Sequence, residues 1–239
     1  GERAATQNFR DHTRRSTQMD RAYYLGLVAA LGLPVDRSIS RWDEMFLPAV
    51  LADSLGALFL VEEGEAPVDK VVTRVVTEDR ILLPGRVIEP PATPGRTWPL
   101  YGALGLGLVG LVALLGVTAA RAGRSAAMEG FVLAWLMIAG TLGVGLAIVW
   151  GFTDHLAAYP NLNLLLLNPL WLFGLVPALR RSTSWLLLAG TGAAVVAAAW
   201  PSGQYLADTL ALVVPLNLAV AWRLRRPWSE VSASVPRAA

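Results

Sequence analysis

The residues whose types could do chemistry sit in one short polar island. Asp154 and His155 stand together in Phe152-Thr-Asp-His155, and Asn161 and Asn163 follow around Leu162. The island interrupts a stretch that is otherwise apolar from about position 99 to 222. Polar groups placed between membrane-spanning runs are costly and mark binding or reaction. A carboxylate orients an imidazole, and histidine acts near neutral pH as a general base. Amide side chains bind the backbone of an unwound helix or a substrate carbonyl. Adjacent residues do not face each other on a helix, so Asp154 and His155 call for a partner from elsewhere. We take Asp154, His155, Asn161 and Asn163 as the candidate substrate-binding set. His155 is a supporting residue, and no catalytic residue is assigned. The competing reading makes the His-Asp pair a cap for the next run and Asn161 a helix N-cap.

Other polar residues read as structural. Asn168-Pro169 stabilises a kink, Asn217 makes a helix–helix hydrogen bond, and Glu129 opens an apolar run. Asp208 is either solvated at the interface or turned toward the polar site. His12, set among Arg10, Arg14 and Arg15, reads as a solvated surface residue. Trp42 and Phe46 read as part of a small core.

The elements that must position the island divide the chain in two. Residues 1–89 read as a partial soluble domain, 90–98 as a proline-rich linker, 99–226 as a helical membrane domain and 227–239 as a tail. In the front part, Thr17-Gln-Met-Asp20 resembles a capping box for a helix running to Leu31, stopped by Gly32 and Pro34. Ser40 caps a second start, and Pro48 suits the first turn of a helix through Leu51, Leu55 and Leu58. Val71 to Val76, with Ile81-Leu-Leu83, predicts a small hairpin or edge strands.

Five apolar runs follow, at 100–120, 128–152, 162–179, 185–200 and about 205–222. A bilayer core takes about 20 residues per helix, which suits the first two best. The third is short and holds Asn168, Pro169 and Pro177, so it is expected to be kinked or partly re-entrant. Trp98, Trp150, Trp171, Trp185, Trp200 and Trp222 mostly fall near run ends, as interfacial anchors do. Glycines crowd the first two runs, which predicts close packing of these two helices or self-association.

Of the 239 residues, 54% are hydrophobic and 16% charged, against about a quarter charged in soluble domains. Net charge is +2, from scattered arginines, so no nucleic-acid partner is expected. There is no cysteine and there are two histidines. Thiolate chemistry, disulfides and a histidine-rich metal site are therefore excluded for this sequence, and no cofactor is expected. The chain opens on Gly with no signal segment before its soluble part; we expect its natural start to lie upstream. Arg121 and Arg124, Arg180 and Arg181, and Arg223, Arg225 and Arg226 fall between or after alternate runs. The other loops carry no Lys or Arg. The positive-inside rule predicts a cytoplasmic C-terminus and an outer face holding the soluble part, the island and Ser202-Gly-Gln204. The expected location is a bacterial cytoplasmic membrane.

Several segments together resemble the Lnb-type family of bacterial membrane proteins. They are Phe9-Arg-Asp-His-Thr-Arg-Arg15, Gly32-Leu-Pro-Val-Asp-Arg37 and Ser40-Arg-Trp-Asp-Glu-Met-Phe-Leu-Pro48. In the membrane part they are Thr153-Asp-His155, Asn161-Leu-Asn163 and Asn168-Pro-Leu170. The resemblance implies an extracytoplasmic, papain-like α+β domain before an all-α bundle of about five transmembrane helices. It also implies lipoprotein remodelling, an acyl chain moving to the N-terminal cysteine of a lipoprotein through a thiol nucleophile and a histidine. Lacking cysteine, this chain reads as the C-terminal part of such a protein or as a cysteine-free relative, inactive alone. The expected partners are membrane lipids and lipoproteins. A non-catalytic anchor or scaffold is the alternative. A small transporter is the weakest reading, because no repeat carries matching helix breaks.

Overall fold

A computed structural model describes residues 5–63, 70–80, 90–121, 126–200 and 203–226. The front part begins with α1 (Phe9–Thr17), a helix not expected from the sequence. Asn8 caps it, its side chain accepting from the Asp11 amide. Asp20 caps α2 (Arg21–Ala30) by accepting from the Tyr23 amide, so the cap lies at the end of the expected box. A 3-10 turn, Leu33–Asp36, follows. Ser40 and Asp43 form a reciprocal capping box on α3 (Arg41–Glu44), and Pro48 opens α4 (Pro48–Gly56). The strand expected near Val71 is β2 (Lys70–Arg74), paired antiparallel with β1 (Phe59–Glu63). The Ile81-Leu-Leu83 part of that expectation lies outside the described residues.

Two expectations for the front part are overturned. Arg10, His12 and Arg14 are buried, at 1%, 3% and 9% exposure, because each finds a polar partner inside. Trp42 and Phe46 are exposed, and α4 buries no residue.

The membrane part has four α-helices and one broken segment among the described residues. It comprises α5 (Trp98–Arg121), α6 (Ala126–Phe152), a broken segment, α7 (Arg180–Ala198) and α8 (Ala207–Leu224). Three stretches are long and apolar enough to cross a membrane: Trp98–Val117, Met128–Phe152 and Ala207–Leu224. α7 opens on Arg180-Arg-Ser-Thr-Ser184 and is less apolar. The third run forms no α-helix. It makes 3-10 turns at Leu162–Leu165, Pro169–Leu175 and Pro177–Leu179. Pro169 and Pro177 lack the amide an α-helix would use. The tighter 3-10 winding rises about 2.0 Å per residue, so it advances farther per residue than an α-helix would.

Glycines explain how a broken backbone fits among helices. A Cβ on Gly143 would lie 2.6 Å from the Asn168 backbone. One on Gly140 would lie 2.6 Å from the Leu172 side chain, and one on Gly190 would lie 2.6 Å from the Leu165 carbonyl. On α5, Gly105 faces the Leu212 carbonyl of α8 at 2.6 Å in the same sense. These small residues admit the broken segment and α8; they do not form a face between α5 and α6. Asn168 caps the middle turn by accepting from the Leu170 amide and donates to Leu164 O. Asn217 donates to Leu166 O and Thr191 Oγ1 and accepts from Trp135 Nε1. Trp171 is no anchor: it is buried in the core with Leu136, Leu166 and Leu187, its indole donating to Leu166 O.

The bundle has two polar ends. At one, Glu129 on α6 receives Arg180 of α7 and Arg223 of α8. At the other, α2 packs across α8 and the loop after α6.

Candidate functional site

A helix leaves its last carbonyls without intrahelical partners. α2 ends inside the protein, so those carbonyls need donors. Arg10 donates from Nη1 to Val28 O at 2.8 Å, and from Nη2 to Leu31 O at 2.8 Å and Gly32 O at 2.9 Å. Its Nε pairs with Asp36 Oδ1 at 2.7 Å. Burial raises the Asp36 carboxyl above its ordinary value, with Arg10 working against the shift. A cation at a helix C-terminus also complements the helix dipole. The membrane part supplies the remaining donors. Asn161 Nδ2 donates to Ala29 O and Ala30 O, both at 2.9 Å. Asn163 Nδ2 donates to Ala29 O at 3.0 Å. Gln204, just before α8, donates to Leu31 O at 3.0 Å and accepts from the Leu162 amide at 2.7 Å.

Asn161 is the hub of this clamp. Its Oδ1 accepts from the Asn163 amide at 3.0 Å and from Gln204 Nε2 at 3.0 Å. Asn161 and Asn163 are 1% and 0% exposed. Two further amides bring the backbones together: Gly32 N donates to Ala157 O and Leu33 N to Pro160 O, both at 2.8 Å. A side chain on Gly32 would run into the Ala158 carbonyl at 2.8 Å.

Asp154 and His155 part company with the asparagines. Both are exposed, and they do not pair with each other. Their backbone carbonyls accept the Leu156 and Ala158 amides and so shape the turn. His155 instead reaches the rim of an apolar cavity of about 760 Å³. Leu25, Leu27 and Ala30 of α2 roof it. Ile138, Leu142, Leu146 and Val149 of α6 form one wall, and Leu212 and Val213 of α8 another. The few polar groups on its lining include His155, Asn161 and Thr209. Thr209 is buried, and its hydroxyl has no hydrogen-bond partner. Gly26 and Gly145 face open space on this lining. Among the described residues no cluster of metal ligands occurs.

A family model described as the Lnb transmembrane domain matches residues 100–224. The matched stretch takes in the island, the broken segment and the α6 and α8 walls. The chain belongs to the Lnb family. No curated protein and no solved structure matches it. The Lnb transmembrane match stops short of α1–α4 and the hairpin.

Beside the clamp lies a second polar cluster, in which the sequence reading left Asp208 open and missed Tyr24, Thr97 and Tyr205. Asp208 is fully buried. It accepts from Tyr24 and Thr97, the latter at 2.8 Å, and from Tyr205 at 3.2 Å. Of its two sequence-based readings, solvation is thereby excluded. Burial raises the Tyr24 and Tyr205 hydroxyl pKa values, and the Asp208 carboxylate adds to both, so both phenols stay neutral donors. Arg14 donates to Tyr24 Oη at 3.1 Å and lies 4.0 Å over the Tyr205 ring. Tyr24 recurs near the start of α2 as an apolar-looking residue, and only the distant Asp208 gives its hydroxyl meaning. His12 Nε2 lies 3.1 Å from Glu44 Oε1, while Arg41 holds the other Glu44 oxygen at 2.6 Å. Burial, with Arg15 nearby, lowers the His12 pKa below its ordinary 6.5.

Proposed function

We propose that this chain is the lipid-facing membrane part of an envelope acyltransferase-like protein. Its cavity takes an acyl chain from a membrane lipid or lipoprotein. The observation that carries this reading is the apolar cavity roofed by α2, with His155 at its rim and an unpartnered Thr209 hydroxyl on its wall. A cavity lined mainly by apolar side chains with a few convergent polar groups fits a lipid tail that carries one ester. In this reading Asp154 and His155 face the headgroup or peptide. Asn161 and Asn163 act at one remove, by fixing the roof. The front part and the island lie outside a bacterial cytoplasmic membrane, and the Glu129 end faces the cytoplasm, where the positive-inside rule puts Arg180 and Arg223. All five passes cross the bilayer, and the front elements belong to a papain-like domain. With no cysteine among its 239 residues, the chain performs no thiol acyl transfer alone.

A photoreactive diacylated lipopeptide, with a diazirine on one palmitoyl chain, tests the cavity. Label is expected on the α6 and α8 segments that line it. Gly145→Phe fills open space and is expected to lower labelling there roughly tenfold, equal to about 1.4 kcal/mol. Equal labelling of the folded variant would sink the reading. The clamp on α2 favours a second reading, a non-catalytic anchor for an envelope domain. Under that reading Gly145→Phe changes nothing, whereas loosening the clamp frees the front part.

A further inference from the structure

The end of the bundle opposite the cavity carries a second, unrelated arrangement. Glu129 engages Arg180 and Arg223. Arg181, Arg225 and Arg226 are exposed and form no ion pair with a carboxylate among the described residues. Two of them are nevertheless held in place. The Arg225 guanidinium lies 3.8 Å over the Trp185 ring, and that of Arg226 lies 3.9 Å over the Trp222 ring. Arg225 Nε donates to Ser184 Oγ at 3.2 Å, and its terminal N–H groups have no hydrogen-bond partner among the described residues. Arg181 precedes Trp185 by one helical turn and shares its face of α7. Arg225 and Trp185 thus bridge the seam between α7 and α8, with Arg181 next to it on α7 and Arg226 just past α8, and no carboxylate is set against the three among the described residues.

We propose that this seam binds one anionic phospholipid by its phosphodiester headgroup. The guanidinium is planar, and its forked donors match a phosphate, while its faces stack on indoles. Stacking fixes Arg225 and Arg226 before any ligand arrives, so less rotamer freedom is lost on binding. The surroundings select a lipid over a soluble phosphate. Trp185 and Trp222 are 57% and 54% exposed, and Leu218, one turn from Trp222 on α8, is 47% exposed. Headgroup and acyl chain would therefore each meet a matching surface. Basic pockets between transmembrane helices hold acidic headgroups in this manner. The site does not depend on the cavity or on any acyl transfer.

Native mass spectrometry of the full chain in neutral detergent tests this, with phosphatidylglycerol and phosphatidylcholine of identical acyl chains as probes. The chain is expected to retain one phosphatidylglycerol where phosphatidylcholine is lost. Arg225→Gln with Arg226→Gln is expected to weaken phosphatidylglycerol about tenfold or more and leave phosphatidylcholine unchanged. Arg37→Gln, exposed in the front part, is expected to change neither. If the double variant does not fold, Arg181→Gln alone carries the test, with the same direction and a smaller loss. Equal retention of both lipids overturns the proposal, as does unchanged affinity in the folded variants. Displacement of the lipid by free glycerol phosphate also overturns it, by making a soluble phosphate the ligand.

Discussion

Asp154 and His155 differ from Asn161 and Asn163 in burial and in what their side chains hold, although His155 and Asn161 both touch the apolar cavity. The first pair is exposed, and its side chains make no hydrogen bond or ion pair among the described residues. The second pair is buried and holds the end of α2. The difference follows from chemistry. A neutral amide carries donors and an acceptor, so it can join backbone to backbone with no net charge to desolvate. A carboxylate or imidazole buried in the same place would need a charge partner or a shifted proton. The asparagines therefore serve the contact between the front part and the bundle, and the ionisable pair stays exposed, with His155 at the cavity rim. One island in the sequence is two devices in the fold.

The largest expected effect comes from breaking the buried half. Asn161→Ala removes the donor to Ala29 O and Ala30 O and the acceptor for Asn163 N and Gln204 Nε2. Leaving a buried polar group unsatisfied costs about 1–3 kcal/mol, so a total of about 3 kcal/mol is expected. Thermal unfolding in detergent reads it as a lower midpoint. Hydrogen exchange should open first at the end of α2. A midpoint within error of wild type would mean that Asn161 is as uncommitted as Asp154, and the comparison would collapse.

Much of this was legible in the sequence, for local reasons. Ser40, Asp43 and Pro48 act within a turn of where they stand, so their caps are readable. Asn168 before Pro169 signals a break for the same reason. The apolar runs delimit α5, α6 and α8 because bilayer thickness sets helix length. The remainder depends on distant partners. Arg10 and His12 look solvated beside Arg14 and Arg15 until the Val28, Leu31 and Gly32 carbonyls, Asp36 and Glu44 surround them. Gln204 lies in a short loop and gains its role from the distant Leu31, Asn161 and Leu162. The third run was readable as broken, but its 3-10 path depends on Gly140, Gly143 and Gly190 of other helices. Trp42 and Phe46 mislead in the opposite sense, since their aromatic character predicts a core that the described residues do not provide.

A middle-sized effect extends the comparison to the two histidines. Burial lowers the His12 pKa, whereas His155 is exposed. As pH falls below about 6.5, the unfolded chain binds a proton at His12 that the folded chain resists. More protons on the unfolded state means that stability rises with pH. The His12 contribution is therefore complete above that value and is lost as pH falls toward the lowered folded value. Unfolding measured between about pH 7 and 5 should show this decline. His12→Gln should flatten it, and His155→Ala should leave it in place. A decline that survives His12→Gln and vanishes in His155→Ala would reverse the two roles.

The smallest effect tests the free half. Asp154→Asn and His155→Ala remove exposed side chains that make no hydrogen bond among the described residues, so each should shift stability by no more than about 0.5 kcal/mol. His155 sits at the rim of the cavity, and Asp154 precedes it in the same exposed turn. If that rim meets a lipid headgroup, the lipopeptide label should redistribute within the cavity while the unfolding midpoint holds still. The separation matters because the asparagine variants cannot provide it: loosening α2 disturbs the roof and the cavity together. Residues that affect ligand position and spare stability are therefore the ones able to tell a lipid-handling island from an anchoring one. A loss of more than about 1 kcal/mol in either rim variant would show that Asp154 or His155 supports the loop itself, and the island would then be structural throughout.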